Sequence, residues 1–163
     1  MRVLGIDPGI ASTGYGCIDQ DDRHAYKMVQ CGVIKTPAHT DAGDRLHTIH
    51  KELGTIIKRL SPDVLVVEQL FFNSNQKTAI VVGQARGVIL MTGAKAQVRC
   101  YEFTPIQVKM AVTGYGRAEK KQVQEMVRRI LNLDTIPKPD DAADGLALAL
   151  CYCQNQHVIK LKG

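Results

Sequence analysis

The first third of the chain alternates short apolar runs with polar turns. Apolar and β-branched residues dominate positions 2–6, 13–18 and 27–34, and short segments rich in glycine or acidic residues separate them. Connections of this length join antiparallel strands. The pattern therefore predicts a three-stranded antiparallel meander at the start of the chain.

The period of the pattern changes after residue 40. Apolar residues recur at helical spacing between positions 46 and 60, with Asp41 available as the N-cap. Ser61-Pro62 ends this helix, and the continuous apolar run 64–67 follows, closed by Glu68. Such a run is typical of a central strand that is buried on both faces.

The rest of the chain alternates helices with one further strand. In order, the pattern predicts a helix over 75–95, a strand over 98–103, and helices over 105–112, 118–131 and 140–154. This arrangement predicts an α/β fold with a mixed five-stranded sheet and helices on both faces. The only candidate linker, 133–139, is followed by a single helix, so we expect one domain over 1–163, with the last few residues as a flexible tail.

Composition narrows the class of protein. The chain has 163 residues, 45% of them hydrophobic and 23% charged, as in an ordinary globular domain. Its net charge of +5 favours a polyanionic partner. The five cysteines form no CxxC pair, and no secretory signal or membrane-spanning stretch is visible. We therefore expect a cytoplasmic protein without a membrane partner.

Two carboxylates end predicted strands. Asp7 follows the first strand and Glu68 follows the buried one. If these strands are parallel neighbours, their ends lie about 4.8 Å apart, at the edge where α/β sheets bind ligands. A plain Asp-Pro-Gly turn at Asp7 and a solvated Glu68 beyond its strand remain the alternatives.

The last predicted helix opens with three aspartates. Asp141 and Asp144 are three residues apart, so they share one helix face. Asp140 follows Pro139 and fits the N-cap, and acidic residues favour helix N-termini in any case. Capping explains Asp144 poorly because it lies one turn inside the helix, and Asp141 is intermediate.

Carboxylates that converge in a cleft repel one another unless cations neutralise them. Oxygen ligands suit Mg²⁺, with Mn²⁺ as a substitute, and two such ions are the usual apparatus for cleaving phosphodiesters. The residues thus predict a metal-dependent nuclease. We expect the small residues that follow Asp7 to leave room for a DNA phosphate.

Cations surround a glycine-flanked turn at Gly114-Tyr115-Gly116. They are Lys109, Arg117, Lys120 and Lys121. A mobile turn between cations would clamp a phosphate, but a solvated helix face explains the same charges.

Phe71 lies beside a second phenylalanine in a polar loop, soon after Glu68. The pair could stack on DNA bases or plug the end of the strand.

Five motifs occur in order along nearly the whole chain: GIDPGxxxTGYG, VVEQLFF, GQARG, QVKMAVTGYGRAEKKQVQ and DAADGLALAL. Together they resemble the RuvC-type Holliday junction resolvases of bacteria. The resemblance implies a ribonuclease H-like fold, a homodimer, and paired metal-dependent nicks across a four-way DNA junction during recombination and repair. It also implies a branch-migration motor as a partner.

The resemblance also implies roles for single residues. The catalytic and metal-binding carboxylates would be Asp7, Glu68, Asp141 and Asp144, with two Mg²⁺ ions per subunit. Lys109 and Lys120 match functionally important lysines, and Phe71 matches an aromatic that acts near the junction centre. Asp140 leaves open which of the adjacent aspartates is the ligand.

Two other functions stay open at this stage. A DNA-structure binding module could keep the basic surface without cleaving. A fragment of an actin- or hexokinase-like ATPase would also carry an aspartate and a glycine-rich turn after its first strand, but needs a second domain. For a homodimer, we expect the interface on one face of the 75–95 helix, formed by Ala79, Val82, Ala85 and Ile89.

Overall fold

The computed structural model describes residues 1–69 and 76–160. These residues form five strands and five helices. In chain order they are β1 (Arg2–Asp7), β2 (Ser12–Gln20), β3 (Tyr26–Lys35), α1 (Ala42–Leu60), β4 (Val64–Glu68), α2 (Gln76–Lys95), β5 (Arg99–Phe103), α3 (Pro105–Thr113), α4 (Lys120–Ile130) and α5 (Asp140–Lys160). None of the helices in these residues is long and apolar enough to span a membrane.

The strands form one mixed sheet in the order β3-β2-β1-β4-β5. The pairs β1–β2 and β2–β3 are antiparallel, whereas β1–β4 and β4–β5 are parallel. The predicted meander and five-stranded sheet are therefore confirmed. Because Ile6 pairs with Val67 in the parallel register, Asp7 and Glu68 leave the sheet side by side at the same edge.

The helices cover both faces of this sheet, as predicted. Val3 and Val66 belong to a core that contains the buried residues of α3, α4 and α5. Leu4 and Leu65 belong to a second core, shared with α1 and α2. Successive strand residues point to opposite faces, so each central strand contributes to both cores. This explains why β4 is apolar at every position up to Glu68.

Two of the four α2 residues that the sequence suggested as a dimer interface are instead part of the second core. Ala85 and Ile89 are both 0% exposed and pack with the buried residues of β1, β4 and α1. The expectation is wrong for these two residues because they cover this chain's own sheet, whereas Ala79 and Val82 are half-buried. The exposed residues of α2 lie on its opposite side.

Helix α5 lies with its backbone directly against β1 and β2. A Cβ added at Gly5, Gly14 or Gly16 would overlap backbone atoms of α5, and one added at Gly145 would overlap the backbone of β2. We expected the small residues after Asp7 to leave room for a phosphate. The glycines of β2 are required instead by the helix, which occupies the space that their side chains would take.

Several helix boundaries differ from the prediction, most of them by one residue. A capping box between Glu119 and Gln122 starts α4 at Lys120, two residues later than predicted. Helix α5 runs beyond residue 154 to Lys160. Asp140 is the first residue of α5 and not its N-cap, because the chain becomes helical one residue earlier than the sequence suggested.

The Gly114-Tyr115-Gly116 turn is hydrogen-bonded to the last residues of α3. The Tyr115 backbone N–H donates to Thr113 Oγ1 at 3.1 Å, and the Thr113 hydroxyl donates to the Lys109 carbonyl at 2.8 Å. Gly114 caps α3 in the left-handed conformation, with φ 75°. The glycine supplies a backbone angle rather than flexibility.

Substituting Gly16→Ala tests the close packing of α5. We expect the free energy of unfolding in urea to fall by about 2–4 kcal/mol, because the added methyl group forces the helix away from β2. Gly54→Ala is the matched control, since Gly54 lies on α1 with open space around its Cα. The control should be neutral or more stable by up to about 1 kcal/mol. Equal stability of Gly16→Ala and the wild type would contradict this packing.

Candidate active site

Three aspartates converge where β1 ends and α5 begins. Asp7, Asp141 and Asp144 each offer a carboxylate oxygen, and these oxygens all lie within 4.8 Å of one another. Asp7 is placed by the last position of β1, and the other two by the first turns of α5. The contact of α5 with the glycines of β2 therefore sets the distance between the two sources of carboxylates.

Glu68 lines the same cleft, which has a volume of about 270 Å³. Asp7 and Asp144 line it too, and Lys109 and Lys120 bring positive charge. The remaining lining comes from α3, α4 and α5: Pro105, Val108, Val123, Ala147 and Leu148. The carboxylates thus lie in a partly apolar recess, where the attraction between a carboxylate and a cation is stronger than in water.

Asp141 is fixed by β2. The Ser12 hydroxyl donates to Asp141 Oδ2 at 2.6 Å, and Gly14, two residues further on the same strand face, contacts the Asp141 backbone. Sequence reasoning missed Ser12, because its partner is 129 positions away and a serine in a turn carries no special signal. Asp140 is exposed and lies outside the cluster, so Asp141 is the one of the two adjacent aspartates that faces Asp7.

Lys120 lines the cleft, although half of its side chain is exposed to solvent. Its Nζ lies 2.9 Å from Asp144 Oδ2 and 3.9 Å from Asp140 Oδ2. Partial burial alone would lower the pKa of Lys120, but the hydrogen bond and the charge of Asp144 raise it. Lys109 acts on the other side of the cleft, where its charge opposes the increase in the pKa of Glu68.

The other predicted DNA contacts lie away from this cluster. Arg117 precedes α4 and Lys121 lies in its first turn, and both are exposed. Phe71 lies outside the described residues. Two arginines of the same basic segment, Arg128 and Arg129, form ion pairs with Glu125.

The carboxyl groups of the cleft resist ionisation. Burial is the largest cause that raises the pKa of Asp7 to about 8, followed by the charges of Glu68 and Asp144. Burial likewise raises the pKa of Glu68 to about 7, and it raises the pKa of Asp144 above its ordinary value. Asp7 and Glu68 therefore hold protons near neutral pH unless a positive charge comes close to them.

The donor set suits a hard divalent cation. The converging ligand atoms are all carboxylate oxygens, which Mg²⁺, Mn²⁺ and Ca²⁺ prefer, and no cysteine or histidine joins the cluster among the described residues. A bound cation would stabilise the ionised carboxylates. The arrangement can thus hold a metal ion beside two lysines that can contact an anionic substrate.

Substituting Asp7→Asn tests the pKa of this carboxyl group. Asp7 holds its proton up to about pH 8 in the folded chain, but only to about pH 4 when unfolded. The stability of the folded state therefore falls as pH rises through this window. In a metal chelator, Asp7→Asn should raise the free energy of unfolding at pH 8 by roughly 1–3 kcal/mol, with little change near pH 4.

Urea denaturation across this pH range measures the effect. Asp22→Asn is the control, because Asp22 is exposed in the turn between β2 and β3. If both variants follow the pH dependence of the wild type, the pKa of Asp7 is not raised.

The sequence and the structure both match known proteins along almost their full lengths. A family profile described as crossover junction endodeoxyribonuclease RuvC matches residues 3–152. A protein of that name from Caldanaerobacter subterraneus subsp. tengcongensis is 48% identical over 163 residues, which cover 100% of this chain and 98% of the relative. Another from Halothermothrix orenii is 53% identical over 152 residues, 93% of this chain and 92% of the relative.

Among solved structures, Thermus thermophilus RuvC in complex with Holliday junction substrate superposes with a TM-score of 0.88 at 33% identity, covering 97% of this chain and 96% of the other. The match confirms the ribonuclease H-like architecture that the motifs implied. Since the profile and these relatives cover nearly the whole chain, the resemblance noted in the sequence is confirmed, and the chain belongs to the RuvC family of crossover junction endodeoxyribonucleases.

Proposed function

We propose that the protein is a metal-dependent endonuclease that resolves four-way DNA junctions by paired symmetric nicks, in homologous recombination and DNA repair. The observation that carries the proposal is the convergence of Asp7, Asp141 and Asp144 within 4.8 Å. Glu68 and two lysines line the same cleft. Membership of the RuvC family, and the junction complex of the Thermus thermophilus relative, supply the substrate class.

We infer that four carboxylates hold the catalytic metal: Asp7, Glu68, Asp141 and Asp144. Two Mg²⁺ ions per subunit, or Mn²⁺ in their place, would supply an activated water and stabilise the leaving oxygen. Ser12 contributes by orienting Asp141, since its hydrogen bond occupies Oδ2 and leaves Oδ1 available. The raised pKa values favour this use, because a divalent cation relieves the repulsion that burial intensifies.

The basic residues divide into two groups in this proposal. Lys109 and Lys120 line the cleft and would contact the phosphate that is cleaved. Arg117 and Lys121 are exposed nearby and would contact the DNA backbone on either side of it. Phe71 lies outside the described residues. Its motif supports a role as an aromatic that stacks on bases near the junction centre.

Cleavage by two variants at adjacent positions tests the site. With Mg²⁺ and a labelled four-way junction, we expect Asp141→Asn to lower the rate of nicking by at least about 10²-fold, because it removes a metal ligand. Asp140→Asn is the matched control and should stay within about threefold of the wild type, since its carboxylate is exposed and lies outside the cluster. Both should bind the junction as tightly as the wild type in a chelator.

The same assay separates the alternatives. Two symmetric nicks that require the metal support the proposal. Junction binding by the wild type without nicking, in both Mg²⁺ and Mn²⁺, would identify a non-cleaving DNA-structure binding module. The family match makes an actin- or hexokinase-like ATPase fragment the weaker alternative, and ATP binding without DNA would be its signature.

We propose a homodimer that uses the outer face of α2. The residues of this outer face are Ile80, Gln84, Gly87 and Met91, which recur at intervals of four, three and four. Ile80 is 63% exposed and Met91 48% exposed, and a Cβ at Gly87 would meet no atom within 4 Å. Such spacing lets two helices pack along one seam, and a two-fold dimer would present identical sites to opposing strands of a junction.

Analytical ultracentrifugation tests whether this face of α2 forms the dimer interface. Met91→Glu should halve the measured mass at micromolar concentration, because the charge would have to be buried between the two helices. Val29→Glu is the control, since Val29 is also exposed but lies on the edge strand β3. A dimer that persists with Glu at position 91 would move the interface elsewhere.

Three further expectations come from the sequence: the motor from the family resemblance, and the other two from the sequence pattern and composition. We infer that residues 1–163 form one nuclease domain, that the protein acts beside a branch-migration motor, and that it works in the cytoplasm.

A further inference from the structure

Three exposed apolar side chains lie together on α3 and the turn that follows it. Ile106, Met110 and Tyr115 are 58%, 52% and 58% exposed, and they are three of only seven large apolar residues exposed in the described part of the chain. Ile106 and Met110 are four residues apart on α3, so their side chains are neighbours. Gly116, which follows Tyr115, lies against both of them. A Cβ at Gly116 would lie 3.0 Å from Ile106 Cγ2 and 3.6 Å from Met110 Cε. We call these three residues the apolar patch.

The apolar patch borders the candidate active site. On α3, Val108 and Lys109 line the cleft. At 100° per residue, Ile106 and Met110 lie about 60° and 100° around the helix from Lys109, on the side away from Val108. Lys109 therefore separates the cleft from the patch. A DNA strand that places a phosphate beside Lys109 would continue toward the patch.

Cations border the apolar patch. The Tyr115 backbone N–H donates to Thr113 Oγ1, which ties the turn to the end of α3. Lys109, Arg117 and Lys121 lie on neighbouring positions of α3, the turn and α4. Three cations thus border the patch against one acidic residue between them, Glu119. A nonpolar surface inside a cationic rim is complementary to a ligand with an anionic backbone and nonpolar flat faces.

A single DNA strand with unstacked bases has these properties, whereas a continuous duplex hides its base faces inside the stack. A four-way junction exposes base faces where its strands exchange. Resting on the proposed nuclease function, we propose that Ile106, Met110 and Tyr115 form a contact surface for an unstacked base and its deoxyribose beside the scissile phosphate. The surface would favour junctions over duplex DNA, because only the junction has a free base to offer.

The test measures DNA binding in a chelator, so that it does not depend on cleavage. Tyr115→Ser should raise the Kd for a fluorescein-labelled junction by about 5- to 50-fold, as expected for a lost base–aromatic stack. Its Kd for a duplex of the same sequence and the slope of log Kd against log salt should not change. Tyr115→Phe should restore junction binding, since the ring and not the hydroxyl makes the contact.

Lys121→Gln is the matched electrostatic control. It should weaken junction and duplex binding alike and reduce the magnitude of the salt slope by about 0.9, as expected for one lost phosphate contact. A junction with 2-aminopurine next to the crossover gives a second readout. Its fluorescence should be quenched by the wild type and by Tyr115→Phe, but not by Tyr115→Ser.

Two results would overturn the proposal. One is an unchanged junction Kd for Tyr115→Ser, which would assign the patch to another partner or to none. The other is an equal loss for junction and duplex with a smaller salt slope, which would make Tyr115 a backbone contact. A wild type that binds the junction and quenches 2-aminopurine but never nicks would overturn the nuclease proposal alone.

Discussion

The direct backbone contact of α5 with β1 and β2 is the constraint on which the candidate site depends. Gly5, Gly14 and Gly16 on the strands, and Gly145 on the helix, leave no side chain between the two layers. The helix therefore lies closer to the sheet than ordinary side chains allow. This closeness brings the aspartates of α5 within 4.8 Å of Asp7. The same packing that completes the core thus assembles the carboxylates.

This arrangement has an electrostatic cost. The carboxyl groups of Asp7, Glu68 and Asp144 are each driven toward the protonated form, chiefly by burial. Lys120 offsets part of the cost through its ion pair with Asp144, and Lys109 through its charge near Glu68. The clustered carboxylates therefore cost folding stability, and a bound cation would relieve that cost.

The sequence predicted the sheet and the position of Asp7 and Glu68 well, because an apolar run that ends in a carboxylate reports both burial and the strand end. It predicted α2 poorly. That helix is apolar on its inner face and partly apolar on its outer face, so periodicity alone could not tell which side covers the sheet. The sequence pattern also did not predict contacts between segments that are far apart in the chain. Neither the hydrogen bond of Ser12 to Asp141 nor the need for glycine in β2 leaves a local pattern, since each depends on a helix more than a hundred residues away.

The position of α5 in the chain has a consequence for biosynthesis. This helix follows the other elements of the described residues, yet its residues from Leu146 to Cys151 are almost completely buried and fill the middle of one core. A nascent chain that has not yet released α5 exposes the glycine-lined surface of β1 and β2 and lacks two of the clustered aspartates. Long-range contacts of this kind form late in folding. A chain that lacks α5 is therefore both poorly folded and without the assembled acidic cluster.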